Sequence, residues 1–212
     1  MFDEGVLLWV LIVTTVFLSG IALWLRVEAV RAKRETFIRH YAFPDSVFGK
    51  VKDKYPHLEL KDWQLVARAL RDFFLVYLHS GRRYVSMPSK VVDDLWHEFI
   101  LHTRTYEQFC NRAFGRYFHH SPAASAALVG VLVGAEEDGM FRTWRHACTE
   151  ANIRFDSPTR LPLLFAIDTK LQIKGAFAYD LETMRELSAK KTASGSCGGG
   201  CGGGCGGGCG GC

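Results

Sequence analysis

An uncharged apolar segment near the start of the chain constrains the fold more than any other feature. Residues 6–25 read VLLWVLIVTTVFLSGIALWL, without a single charged side chain. A helix of about 20 residues matches the roughly 30 Å hydrocarbon layer of a bilayer. Trp9 and Trp24 lie near its two ends, where indole rings favour the membrane–water interface. The segment therefore predicts a single transmembrane helix.

Two other interpretations of residues 6–25 stay open. A cleaved signal peptide normally has basic residues before its apolar run and a small-residue cleavage site after it. Here Asp3 and Glu4 precede the run, and no such site follows it. The remaining interpretation is a core helix that is buried inside a folded domain.

The charges that flank the apolar segment predict its orientation. Basic residues are absent before it, and five follow it: Arg26, Arg31, Lys33, Arg34 and Arg39. Because basic flanks stay on the cytoplasmic side, we expect the N-terminus outside and the rest of the chain in the cytoplasm. Glu28 and Glu35 dilute the basic segment. We therefore interpret it as a topology signal rather than as a site for anionic headgroups.

The body of the chain, residues 36–190, shows helical spacing and no strand alternation. Residues 60–79 place apolar side chains along one stripe, and Ser80-Gly81 follows as a stop signal. Residues 89–113 predict a second long helix with Ser89 as its N-cap. Residues 136–151, and a segment that begins after Asp180, predict two more helices. We expect an all-α fold, with a helical bundle between a membrane anchor (1–35) and a tail (191–212).

Composition limits the functional classes. The net charge of +4 is modest and predicts no nucleic-acid partner. Only Cys110 and Cys148 lie in the body, so the body is not a disulfide scaffold. The expected partners are the lipid bilayer and a protein that binds the helical domain.

The tail concentrates the remaining thiols in a glycine background. Its five cysteines are Cys197, Cys201, Cys205, Cys209 and Cys212. Glycine loses much backbone conformational entropy when it becomes ordered, so we expect the free tail to be disordered. Thiolates favour soft ions, which makes Cu(I) or Zn the candidate ions and predicts a weak, exchangeable site. The alternatives are a tail that binds nothing specific and a tail whose thiols are modified.

The densest polar cluster lies in residues 93–120. HEFILH resembles the zinc-protease pattern HExxH, but His97 and His102 are five residues apart and diverge by about 140° on a helix. A different group of residues is compatible with helical spacing. Its candidate metal ligands are Asp93, Asp94, His97, His119 and His120. A turn near Gly115 would return one of the later histidines to the face of His97. The alternative is a structural hydrogen bond between an aspartate and His97.

The segments MPSKVVDDLWHEFILHTRTYEQFC, GRYFHHSP and FRTWRHAC resemble the glycine-rich domain-containing protein-like family. The DxxWH core at Asp93, Trp96 and His97 is the most specific part, and the Cys/Gly tail is similar to that of bacterial members. The resemblance implies a helical domain and directs attention to Asp93, His97, His119 and His120. It implies no reaction.

Three functional classes follow from these features. The first is a membrane-anchored protein that handles soft metals or thiols through its tail. The second is a metal-dependent enzyme that uses the Asp/His cluster. The third is a helical interaction scaffold without catalysis. The sequence does not decide whether the protein is an enzyme, and we rank the first class slightly ahead.

Overall fold

The computed structural model describes residues 4–120 and 133–195, and every regular element in these two ranges is helical. The α-helices are α1 (Glu4–Arg39), α2 (Gly49–Lys54), α3 (Leu60–His79), α4 (Lys90–Leu101), α5 (Thr103–Phe114), α6 (Val133–Glu150), α7 (Leu163–Lys170) and α8 (Leu181–Gly195). A short 3₁₀ helix, Asp45–Phe48, precedes α2. The all-α prediction is confirmed.

Helix α1 joins the apolar segment to the folded domain without a break. Its 36 residues correspond to about 54 Å of helix. The helix is long and apolar enough to cross a membrane, and no part of its apolar window is buried. This exposure contradicts the core-helix interpretation. Its last turns are different, because Ile38 is fully buried and Phe37 packs against the core.

Helix α3 forms the centre of the domain and has the bounds predicted from its apolar stripe. It packs against α1, α4, α6 and α7. Phe73, Phe74 and Val76 are fully buried in the core that results. The other helices are therefore arranged around α3, and the candidate site lies on the α4 side of it.

The prediction of one helix over residues 89–113 is wrong. His102 adopts φ −78° and ψ 58°, outside the helical region, and separates α4 from α5. In an unbroken helix Phe99 and Phe109 would be about 15 Å apart along the axis. The break brings their ring centroids to 5.4 Å, and both rings are buried. Core packing thus explains why the helix is interrupted.

The caps of α4 and α8 agree with the sequence prediction. The side-chain oxygen of Ser89 accepts a hydrogen bond of 3.3 Å from the Val92 N–H. Asp180 caps α8, because its Oδ1 accepts a 2.9 Å hydrogen bond from the Thr183 N–H. Helix α8 continues to Gly195, beyond the predicted start of the tail at residue 191.

A distant carboxylate also holds the start of α4. Asp168 of α7 is 3% exposed, and its two oxygens accept hydrogen bonds from the Ser89 hydroxyl at 2.7 Å and the Lys90 N–H at 2.6 Å. A negative charge at a helix N-terminus is favourable because the backbone N–H groups there are unpaired. The α4 N-terminus, which carries the candidate site in its next turn, is therefore firmly positioned.

Candidate metal centre

The first half of the site is built within α4. Asp93 and His97 are four residues apart and lie on one helical face. Nδ1 of His97 lies 2.9 Å from the backbone oxygen of Asp93 and 3.4 Å from its Oδ2. A carboxylate and an imidazole therefore lie side by side at the helix surface.

The segment that follows α5 supplies the third side chain. Gly115 ends α5 in the left-handed conformation, with φ +72°, and this reverses the chain. The Tyr106 hydroxyl then donates a 2.6 Å hydrogen bond to the backbone oxygen of Phe118, and it accepts one of 3.1 Å from Nε1 of Trp96. These bonds fix the returning segment against α4. His120 is carried back to Asp93 as a result.

Asp93, His97 and His120 form one compact group. Nε2 of His120 lies 2.9 Å from Oδ1 of Asp93, and the centroids of the two imidazole rings are 4.1 Å apart. One ligand atom from each residue can be chosen so that all lie within 4.8 Å of one another. With metal–ligand bonds of about 2.1 Å, neighbouring ligand atoms are about 3.0 Å apart in an octahedral site and about 3.4 Å apart in a tetrahedral one. The 2.9 Å between Nε2 of His120 and Oδ1 of Asp93 matches the octahedral separation.

The group is closed on one side and open on the other. The side chain of His120 is 11% exposed, whereas those of Asp93 and His97 are 32% and 46% exposed. The ring of His120 packs edge-on against Trp96, with centroids 4.6 Å apart. An ion held here would have protein ligands beneath it and room for water or a small ligand above it.

The structure does not bring the other two candidate ligands into this group. Asp94 faces α2, where it accepts hydrogen bonds from Lys54 at 2.6 Å and from the Tyr55 hydroxyl at 2.5 Å. Burial, and then the hydrogen bond to Asp94, raise the pKa of Tyr55, so this hydroxyl stays a donor. His119 is exposed, with its ring centroid 4.8 Å from that of Tyr117. Burial alternates along this segment, with Tyr117 and His119 exposed and Phe118 buried, so of the two histidines only His120 turns inward.

The cysteines divide into two sets. Cys197, Cys201, Cys205, Cys209 and Cys212 lie outside the described residues. Cys110 and Cys148 are fully buried, and burial raises the pKa of Cys148 to about 12. A thiol that stays protonated is a poor nucleophile and a poor metal ligand.

A second polar network, which the sequence analysis missed, ties α1 to the domain. Arg39 contacts Glu35 at 2.7 Å and Glu150 of α6 at 2.6 Å. Nδ1 of His79, at the end of α3, lies 2.7 Å from Oε1 of Glu150. The hydrogen bond to Glu150 raises the pKa of His79, although burial opposes this effect. No local pattern marks these residues as a group, because they come from three distant helices.

Comparison with known proteins identifies the family. A search of curated proteins and a search of solved structures found no match. A family model described as UCP032817-like matches residues 33–201, which is 169 of the 212 residues. The predicted membership of the glycine-rich domain-containing protein-like family is therefore wrong. The matched region begins in the last turns of α1 and includes the whole candidate metal centre, and on this match the chain belongs to the UCP032817-like family.

Proposed function

We propose that this chain is a single-pass membrane protein whose helical domain binds one transition-metal ion through Asp93, His97 and His120. The observation that carries the proposal is the convergence of three ligand atoms within 4.8 Å of one another. Two of the side chains come from α4, and the third returns from beyond α5. Their donor set, two imidazoles and one carboxylate, suits Zn(II) or Fe(II).

The arrangement favours an open site over a closed structural one. Structural zinc sites normally use four protein ligands, whereas three protein ligands leave positions for water or substrate. The half-exposed imidazole of His97 lies on the open side. This geometry supports the metal-dependent class among the three functions that the sequence suggests. A bound ion there would act as a Lewis acid on a ligand that reaches it from solvent.

Membrane anchoring rests on α1. The helix exposes an uncharged apolar segment and then continues unbroken until Ile38, which is part of the domain core. Five basic residues follow the apolar segment within α1, and basic residues are absent before it. We therefore propose that the N-terminus lies outside and the domain in the cytoplasm.

Cobalt(II) tests the metal centre directly. The protein is the full chain in which all five tail cysteines are replaced by serine, so that only the helical domain can bind. We expect Co(II) to produce weak visible bands without the intense near-ultraviolet thiolate band. The Asp93→Asn, His97→Ala and His120→Ala changes should each weaken binding about 100-fold or more, because each removes one of three ligands.

The neighbouring histidine provides the control for that titration. His119→Ala removes an exposed imidazole one residue from His120 but outside the group, and should leave Co(II) affinity unchanged. Equal affinity in all four variants and the parent would contradict the proposal. The Asp/His group would then be a structural hydrogen-bonded cluster.

Soft-metal handling by the tail is a second proposal. It rests on the five cysteines, separated only by glycine, that follow residue 196. Thiolates of this kind bind Cu(I) or Zn(II), and glycine allows the chain to fold around an ion. Restoring the cysteines should add a thiolate band to the Co(II) spectrum without changing the bands of the domain site. A spectrum that is the same with and without the cysteines would contradict this proposal.

A further inference from the structure

A basic groove lies where α1 emerges from its apolar segment and passes the end of α3. The groove has a volume of about 570 Å³, and four arginines line it: Arg26, Arg31, Arg34 and Arg82. Apart from His79, the other described residues that line it are apolar, and they include Val27 and Val30. The lining therefore carries four positive charges and no carboxylate.

Helix geometry determines how far the groove lies from the hydrocarbon core of the bilayer. Arg26 is the first residue after the apolar segment 6–25, and Arg34 lies about 12 Å further along the helix axis. The polar headgroup layer occupies about 5–8 Å on each side of the hydrocarbon core. Long arginine side chains can extend back toward an interface. A membrane-inserted α1 therefore places Arg26 at the depth of lipid phosphates, and Arg31, about 8 Å further along the axis, at the outer edge of the headgroup layer.

Two of the arginines lie against the turn that ends α5. Nη1 of Arg82 donates a 2.9 Å hydrogen bond to the backbone oxygen of Phe114. The guanidinium of Arg34 lies against Gly115, where an added Cβ would come within 2.5 Å of its Nη2. The turn therefore fixes Arg82 by a hydrogen bond and packs beside Arg34.

The other two arginines lack a counter-ion among the described residues. Within the described parts of the chain, Arg26 and Arg31 form neither a hydrogen bond nor an ion pair with another residue. The acidic residues that dilute this segment form no ion pair with them in the described structure. Glu35 is turned toward Arg39 and His79, and Glu28 is not part of the lining. The groove is thus more basic than the sequence composition of the segment indicates.

We propose that this groove binds the headgroup of an anionic phospholipid in the leaflet next to the domain. Guanidinium groups bind phosphate through paired, charge-assisted hydrogen bonds. Val27 and Val30 are 56% and 48% exposed and provide apolar contact for the glycerol end of the lipid. This inference rests on the proposed membrane anchor and is independent of the metal site.

Tryptophan quenching by brominated lipids tests the groove. Trp24 is 62% exposed and lies two residues before Arg26, whereas Trp63, Trp96 and Trp144 are buried in the domain. Trp9→Phe protein in nanodiscs thus has one lipid-facing indole, on the side of the groove. We expect brominated phosphatidylglycerol to quench Trp24 about twofold more than brominated phosphatidylcholine at the same mole fraction, because basic side chains enrich anionic lipid nearby.

Paired charge variants decide whether the groove causes the enrichment. Arg26→Gln with Arg31→Gln should abolish the excess quenching. Lys50→Gln with Arg104→Gln removes the same charge at exposed positions elsewhere and should retain it. Equal loss in both pairs, or equal quenching by both lipids in the Trp9→Phe protein, would overturn the inference but not the anchor. Failure of both lipids to quench Trp24 would overturn the anchor and the inference with it.

Discussion

The hydroxyl of Tyr106 lies 2.6 Å from the backbone oxygen of Phe118 and holds the segment that carries His120 against α4. The same hydroxyl accepts a hydrogen bond from Nε1 of Trp96, so one buried oxygen connects α4, α5 and the returning chain. Phe118 is also stacked on Tyr77 of α3, with ring centroids 3.6 Å apart. The position of His120 therefore depends on core packing as much as on its own contacts.

Removing this hydroxyl should loosen the site. Tyr106→Phe leaves a buried indole N–H and a buried carbonyl without their partner, which we expect to cost about 1–3 kcal/mol of unfolding free energy. Metal affinity should also fall, because His120 loses its support. Thermal unfolding and Co(II) titration measure the two effects. Tyr117→Phe removes an exposed hydroxyl from the same segment and should change neither. Unchanged stability in Tyr106→Phe would contradict this account.

The left-handed turn at Gly115 provides a second test. Gly115→Ala places a Cβ at φ +72° and within 2.5 Å of the Arg34 side chain. The backbone strain alone should destabilise the protein by about 1–2 kcal/mol. Gly49→Ala is the control, because its φ of −51° suits alanine and nothing lies within 4 Å of the added Cβ. Equal unfolding temperatures for the two variants would count against the turn geometry.

The attachment of α1 to the domain should depend on pH. The hydrogen bond to Glu150 raises the pKa of His79, so the folded state binds a proton more tightly than the unfolded state. Stability from this pair is fully present below the unfolded pKa of about 6.5 and is lost as pH rises through the folded value. The free energy of unfolding of wild type should thus exceed that of His79→Gln by about 1 kcal/mol near pH 6, and by less near pH 8.5.

Unfolding measured across this range checks the linkage. His119→Gln removes an exposed histidine outside the network, and its stability curve should run parallel to that of wild type. If the difference in unfolding free energy between wild type and His79→Gln stays constant or widens at high pH, the ion pair does not make stability depend on pH.

Local sequence signals predicted the parts of the fold that depend on near neighbours. The apolar stripe of residues 60–79 corresponds to α3, and Ser89 and Asp180 cap helices as expected. The turn at Gly115 was also predictable, because glycine tolerates positive φ. Each of these features depends only on residues a few positions away in the sequence.

Features that depend on distant residues were not predictable in the same way. The break at His102 comes from packing Phe99 and Phe109 into one core. Asp93 and Asp94 are equal candidates in the sequence, and only the contacts of Lys54 and Tyr55 with Asp94 distinguish them. The choice between His119 and His120 depends on how Phe118 packs against α3. Asp168, which also caps α4, lies 79 residues after Ser89 in the sequence.

The central claim is that the helical domain binds a metal ion through Asp93, His97 and His120. The most direct measurement is the zinc content, after equilibrium dialysis, of the full chain with its five tail cysteines replaced by serine. The account predicts one zinc per chain, and almost none when His97→Ala and His120→Ala are added. A chain without zinc before these changes, or with the same zinc content after them, would contradict the account.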